Sequence, residues 1–199
     1  KAFEKITIGL PKKYENRGNN TLELVAYHEI GHAMMVKYFN KYFTLQKVTL
    51  NANTGGAGGY TLYTPKDDFI EYPTKGYFLA RLILALGGRA AEIVLYKNSD
   101  VPYWIINEYS DLKITTGAAS DLKSANEIAK QYFNLFESYL PDSPSEKLKG
   151  ELEFKSQKLI NECLEKAIMI IEDDIENFHK WSKLLIKNKT IDLISNTVP

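Results

Sequence analysis

The sequence holds a single cysteine, Cys163, in 199 residues. No disulfide can form within the chain, and a lone thiol suits a reducing compartment. An excess of one charge is also missing: 25 Lys and Arg balance 25 Asp and Glu. The charge runs are short and mixed in sign, so nothing in the composition favours nucleic acid or an anionic membrane surface. Long apolar runs are absent too. The longest, Phe78 to Leu86, is too short to span a bilayer and carries Arg81 inside it and Arg89 beyond it. Residues Lys1 to Lys13 show no secretory leader, so the chain as given is expected to be soluble. There is no Walker A sequence, no internal repeat and no low-complexity stretch. There is no initiator Met either, and the chain is expected to be a piece of something larger. Histidine is scarce, with three in all, and two of them fall within five residues of each other.

What remains is 44% hydrophobic and 25% charged, enough for one well-packed domain. Residues Lys1 to Asn19 read as a connecting arm and a turn. Asn20 and Glu23 then form a capping pattern for a helix to about Phe39, with Leu24, Ala26, Tyr27, Ile30, Met34 and Met35 as its apolar positions. Gly31 costs that helix about 1 kcal/mol against Ala, so close packing is expected there. Leu45 to Leu50 and Tyr60 to Thr64 alternate as strands, joined by a glycine-rich tip at Asn51 to Gly59. Those glycines lack a following Gly-Lys-Ser/Thr and lead into a strand, which excludes a phosphate cradle.

Further on, Tyr77 to Tyr96 reads as one buried helix, with Gly87-Gly88 in its middle where a neighbour can approach closely. Asp100 to Asp111 is irregular. Helices are expected at Ala118 to about Tyr139, Ser145 to about Ile171 and Asp174 to Ile186, with a short element at Thr190 to Val198. Cys163 falls on a helix as a half-buried packing residue. The fold is therefore expected to be mainly α, with a small sheet or hairpin beside the first helix.

That first helix carries His28-Glu29-Ile30-Gly31-His32, an H-E-x-x-H sequence. Residues i and i+4 share a helix face, so both imidazoles can converge on one tetrahedral Zn²⁺. Glu29 stands beside the first ligand and can take a proton from a water activated at the metal without binding the metal itself. A third protein ligand is needed. Position 38 is Tyr38, so no third histidine follows at metzincin spacing, and His179 sits between Phe178 and Trp181 as a packing or surface residue. The third ligand must be a carboxylate, and two stand out: Glu92 and Asp121. Glu92 could equally pair with Arg89 or with a histidine ring nitrogen. Asp121 could equally be a helix-start acid.

Three separated blocks are Ala26-Tyr-His-Glu-Ile-Gly-His-Ala33, Leu86-Gly-Gly-Arg-Ala-Ala-Glu92 and Thr115-Thr-Gly-Ala-Ala-Ser-Asp-Leu-Lys-Ser-Ala125. With Gly59-Tyr-Thr-Leu-Tyr-Thr-Pro65 between the first two, their order and spacing resemble the peptidase domain of the FtsH family of membrane-anchored AAA+ proteases, peptidase family M41. The likeness is good over Lys1 to Phe133 and looser beyond. It implies a helical zinc-peptidase domain over residues 20–199, with Asp121 rather than Glu92 completing the metal site beside His28 and His32. Glu29 would be the general base, and Arg89 and Glu92 would have supporting roles. It also implies that the edge formed by Gly59, Tyr60, Thr61 and Leu62 receives an unfolded polypeptide as an added strand. Residues 1–19, with Ile6-Thr-Ile-Gly-Leu-Pro-Lys-Lys, would be the arm leading from an ATPase module that uses ATP and is missing here.

The full-length protein would be a homo- or hetero-hexamer, anchored by further N-terminal segments in a bacterial plasma membrane or an organellar inner membrane. A non-catalytic scaffold that assembles the hexamer is the alternative. The sequence departs from the family at Ile30, where Ala is usual, in Glu137 to Pro144 and in the insert Val101 to Asp111.

Overall fold

A computed structural model describes residues 17–51, 58–97, 115–137 and 145–192. In chain order they form α1 (Asn19–Tyr38), β1 (Phe43–Thr49), β2 (Tyr60–Pro65), α2 (Lys75–Ala85), α3 (Gly87–Lys97), α4 (Ala119–Phe136), α5 (Glu146–Asp173), α6 (Ile175–Asn188) and β3 (Thr190–Asp192). The protein is mainly α with one small antiparallel sheet, as its sequence pattern predicts. Most of the expected arm, the glycine tip, the insert and the Glu137 to Pro144 segment lie outside the described residues.

The organising element is α1. From Ala26 to Val36 all its residues but His28 are buried, and its neighbours are α3, α6, α2, α5 and both β1 and β2. A helix apolar on every side belongs in the centre of a domain. The polar exceptions in that stretch are Glu29 and the two histidines. Around it, Leu82, Leu86, Val94, Ile171, Phe178 and Leu185 fill the core, each almost wholly buried. Cys163 is buried among them, and burial pushes its thiol up to about 12, so it is inert rather than reactive.

Helix α1 begins at Asn19 with Gly18 as its cap and no side-chain capping bond, so the Asn20/Glu23 capping pattern is not used. Side-chain caps occur elsewhere: Thr74 accepts from the Tyr77 amide at the start of α2 and Ser145 from Leu148 at the start of α5. The single helix expected over Tyr77 to Tyr96 is two, α2 and α3, separated at Leu86. Glycines at 87 and 88 weaken helix continuity, and the break turns α3 so that it lies directly on α1. An alanine-sized Cβ at Gly31 would collide with the main-chain oxygen of Gly87 and reach 2.6 Å from the Ala91 Cβ.

The sheet order is β2-β1-β3. β1 pairs with β2 through Val48 and Thr61 and with β3 through Val48 and Ile191, with a bulge between Leu45 and Lys47. β3 is paired rather than merely terminal because α6 ends at Lys189 in a left-handed turn (φ 61°), whose carbonyl accepts from the Leu50 amide at 2.8 Å. At the same end of the sheet, the Arg17 guanidinium donates to the main-chain oxygens of Leu50 (2.5 Å) and Gly58. It thereby closes the base of the glycine tip.

Gly31→Ala is expected to destabilise the protein by about 2–3 kcal/mol, because main chain must move to admit the Cβ while better helix propensity returns only about 1 kcal/mol. Urea unfolding measures it, and a midpoint equal to that of the wild type contradicts the backbone contact.

Candidate metal centre

The i,i+4 spacing on α1 sets the His28 and His32 rings edge to face, with centroids 5.0 Å apart and Nε2 atoms 3.3 Å apart. From the first turn of α4, Asp121 reaches across so that its Oδ2 lies 3.1 Å from His28 Nε2 and 3.3 Å from His32 Nε2. Corners of a tetrahedron with metal–ligand bonds of about 2.0–2.1 Å stand about 3.3 Å apart. The three side chains thus offer two nitrogens and one oxygen at the separation a tetrahedral ion demands, and they form a group able to hold a metal ion.

Each ring is fixed from behind. His32 Nδ1 lies 2.9 Å from the Leu84 carbonyl, to which it donates as Nδ1–H. His28 Nδ1 lies 3.1 Å from Glu92 Oε1. Both contacts place a proton on Nδ1 and leave Nε2 facing Asp121. The two candidate carboxylates therefore occupy opposite sides of His28: Asp121 stands with the Nε2 pair and Glu92 on the far edge of the ring.

Glu92 is 1% exposed. It accepts from the Thr115 amide at 3.0 Å, the Thr115 hydroxyl at 3.1 Å and Arg89 at 3.5 Å, while Arg89 also reaches the Thr115 carbonyl at 3.3 Å. Burial raises the Glu92 carboxyl, but the bonds from His28 and Thr115 and the Arg89 charge outweigh it and hold the group below the usual range. The role of Thr115 as an anchor is not evident from spacing. The signal was its Thr-x-Gly turn, in which its hydroxyl also accepts from Gly117 at 3.1 Å.

Electrostatics follow from the same contacts. Burial lowers His28, yet the bonds to Asp121 and Glu92 overcome it and raise the ring to about 10. Asp121 is raised by burial but pulled far below the usual carboxylate range by the two histidines. Glu29 is 7% exposed, and burial lifts its carboxyl against the opposing charges of His32 and His28 and a bond from Thr61.

These groups line one cleft of about 890 Å³. Gly59, just before the edge strand β2, and Tyr60 and Thr61 on it line the cleft as well, whereas Leu62 does not. Arg81 and Tyr63 on its wall were not anticipated from the sequence. His179 is remote from this cleft: its Nδ1 lies 3.0 Å from the Tyr27 hydroxyl, a packing role.

A helix-borne His-Glu-x-x-His joined by a carboxylate from a second helix, in an open cleft beside a strand edge, is the arrangement of a metallopeptidase. Residues 17–139, more than half of the chain, match the model of peptidase family M41, and the chain belongs to that family. It is 30% identical to the ATP-dependent zinc metalloprotease FtsH of Synechococcus sp. over 96% of its length and 31% of that protein's. With the protein of the same description from Acholeplasma laidlawii it shares 32% identity over 96% of the chain and 30% of the relative. With that of Mycoplasma genitalium it shares 38% over 65% and 16%. The chain thus spans about a third or less of the curated relatives it matches. Among the described residues no helix is long and apolar enough to cross a membrane.

A Cβ at Gly88 would overlap the His28 ring, reaching 2.7 Å from Nδ1 and closer still to Cε1 and Nε2. Gly88→Ala is expected to displace that ring and weaken metal binding by about 10–100-fold, the range for changes that misorient a ligand, while far-UV circular dichroism stays unchanged. Titration with a chromophoric chelator measures it, and wild-type affinity contradicts the packing of α3 against His28.

Proposed function

We propose that the chain is the proteolytic domain of a zinc-dependent endopeptidase. The observation that carries this reading is the trio of His28 Nε2, His32 Nε2 and Asp121 Oδ2 at mutual distances of 3.1–3.3 Å, with the Glu29 carboxyl in the same cleft. His28, His32 and Asp121 would hold Zn²⁺. Bound there, zinc supplies a Lewis acid that brings a water's pKa to about 7 and polarises a peptide carbonyl.

The protein's own residues do the rest. Glu92 and the Leu84 carbonyl keep the two imidazoles in the Nδ1–H form, so both Nε2 atoms remain available as ligands. Glu29 is the general base. Thr61 holds its Oε2 at 2.9 Å, which leaves Oε1 to accept the proton of the attacking water and pass it to the departing amide nitrogen. Burial favours the protonated form of this carboxyl, which suits a group that must carry a proton and then release it. Gly59, Tyr60 and Thr61 present the edge of β2 beside the base, and an extended peptide would add there as a strand, held by main-chain bonds with little demand on its sequence. Leu62, on the same strand but outside the cleft lining, would contribute its main chain alone.

In the longer protein we place this domain after an ATPase module that delivers unfolded or membrane-derived polypeptides. The hexameric assembly and membrane anchoring implied by the family resemblance would belong to that whole protein.

Metal analysis by mass spectrometry is expected to find about one zinc per chain in the wild type, lost in His28→Ala and Asp121→Ala and retained in Glu29→Gln. The last variant should cleave an unstructured peptide at least about 100-fold more slowly, the lower range for losing a general base. Full zinc in Asp121→Ala would remove Asp121 from the ligand set. Undiminished cleavage by Glu29→Gln would remove Glu29 as the base. A wild type that takes up no zinc when supplied with it points instead to a scaffold.

A further inference from the structure

We infer that Thr61 is the positioning residue for Glu29, so that the strand offered to the substrate also aligns the base; this rests on the reading of Glu29 as general base. A glutamate has three side-chain torsions, and ordering it costs rotamer freedom. Something must hold the carboxylate if it is to face one water. Among the described residues, Thr61 is the side chain that hydrogen-bonds it. Thr61 Oγ1 lies 2.9 Å from Glu29 Oε2 and 2.8 Å from the main-chain oxygen of the same residue. The single hydroxyl proton is shared between the two oxygens, which ties Thr61 to the α1 backbone as well as to the carboxylate.

The strand behind Thr61 is firmly placed. Thr61 pairs with Val48 in β1, which is 1% exposed. Two residues earlier, Gly59 lines the same cleft, and a Cβ there would come within 3.1 Å of Glu29 Cγ and 2.7 Å of the Thr49 carbonyl. Glu29 is therefore bonded by the Thr61 hydroxyl of β2 and approached too closely at Gly59, just before the strand, to admit a side chain there, while the outer edge of β2 is unpaired among the described residues. A peptide docked on that edge is registered to the base through a single stiff strand. This is the kind of support that keeps reacting groups in line without touching the reacting atoms.

The discriminating variants are Thr61→Val, which keeps the shape and removes the hydroxyl, and Thr61→Ser, which keeps the hydroxyl. With the zinc-loaded chain and an unstructured fluorogenic peptide, Thr61→Val is expected to lower kcat about 10- to 100-fold, the range for losing a hydrogen bond to a charged group. KM and zinc content should stay within about twofold, and Thr61→Ser should recover most of the loss. A second measurement does not use turnover. A peptide hydroxamate, whose hydroxyl donates to the base, should bind about tenfold more weakly to Thr61→Val than to the wild type. It should bind equally to Glu29→Ala with and without the Thr61 change, because coupled residues are not additive. Wild-type kcat in Thr61→Val overturns the inference, as does equal weakening of the hydroxamate in both backgrounds. A wild type that cleaves no peptide counts against the proteolytic reading instead, and the hydroxamate comparison still decides the part played by Thr61.

Discussion

The main chains of α1 and α3 touch where Gly31 meets Gly87, and the site is laid out from that point. With any side chain at either position the helices would stand further apart, since helices in ordinary contact run 8–10 Å axis to axis. Close approach puts Gly88 against the His28 ring and, one turn later, Glu92 against its Nδ1 atom. One backbone contact thereby fixes the position and orientation of the His28 ring. The break at Leu86 serves the same end. A straight helix through Tyr77 to Tyr96 could not both cap the cleft with the Leu84 carbonyl, which receives His32 Nδ1, and lay Gly87 on Gly31.

Buried charge is the second constraint. Glu92, Glu29 and Asp121 all line one cleft, the first two buried and Asp121 largely so, and an unpartnered carboxylate withdrawn from water is costly. Each is answered differently. Glu92 has Arg89, His28 and two groups of Thr115; Asp121 has both Nε2 atoms; Glu29 has Thr61. The outcomes diverge accordingly, because Glu92 and Asp121 are held in the ionised form whereas burial dominates at Glu29 and favours its proton. Three carboxyl groups of similar intrinsic acidity are thus assigned different chemistry by their surroundings.

The parts of this arrangement that can be seen in the sequence are the local ones. Helical spacing is enough to converge His28 and His32, and a glycine in a buried helix already signals close packing at Gly31. The start of α5 after Ser145 is local as well, and the sequence places the ends of α5 and α6 at about Ile171 and Ile186, two residues short of the observed Asp173 and Asn188. The choice between Glu92 and Asp121 is not local, since it depends on which side of His28 each reaches, and that is decided by the contacts of α3 and α4 with the rest of the domain. Family resemblance pointed to Asp121, and the geometry sets its oxygen with the Nε2 pair. Nor could periodicity show that β3 would pair with β1. That pairing relies on Lys189 adopting a left-handed conformation and offering its carbonyl to Leu50, an interaction across more than a hundred residues. The capping pattern at Asn20 failed for the opposite reason. Gly18 already occupies the cap position, one residue before the helix begins.

A cleft that reads its substrate through a strand edge gains tolerance of sequence and loses the power to choose. Main-chain pairing is offered equally by nearly every polypeptide, so on the proposed reading discrimination would come from shape, in favour of a segment free to extend along β2. A folded protein keeps its strands paired and its helices closed, and so it presents no such segment. The same logic explains why the base should be tied to β2 rather than to a separate loop. When any sequence is admitted, side-chain contacts cannot be trusted to bring the scissile carbonyl into line. On the proposed reading alignment would be built into the strand that every substrate shares as its partner, and Thr61 is where that strand bonds Glu29.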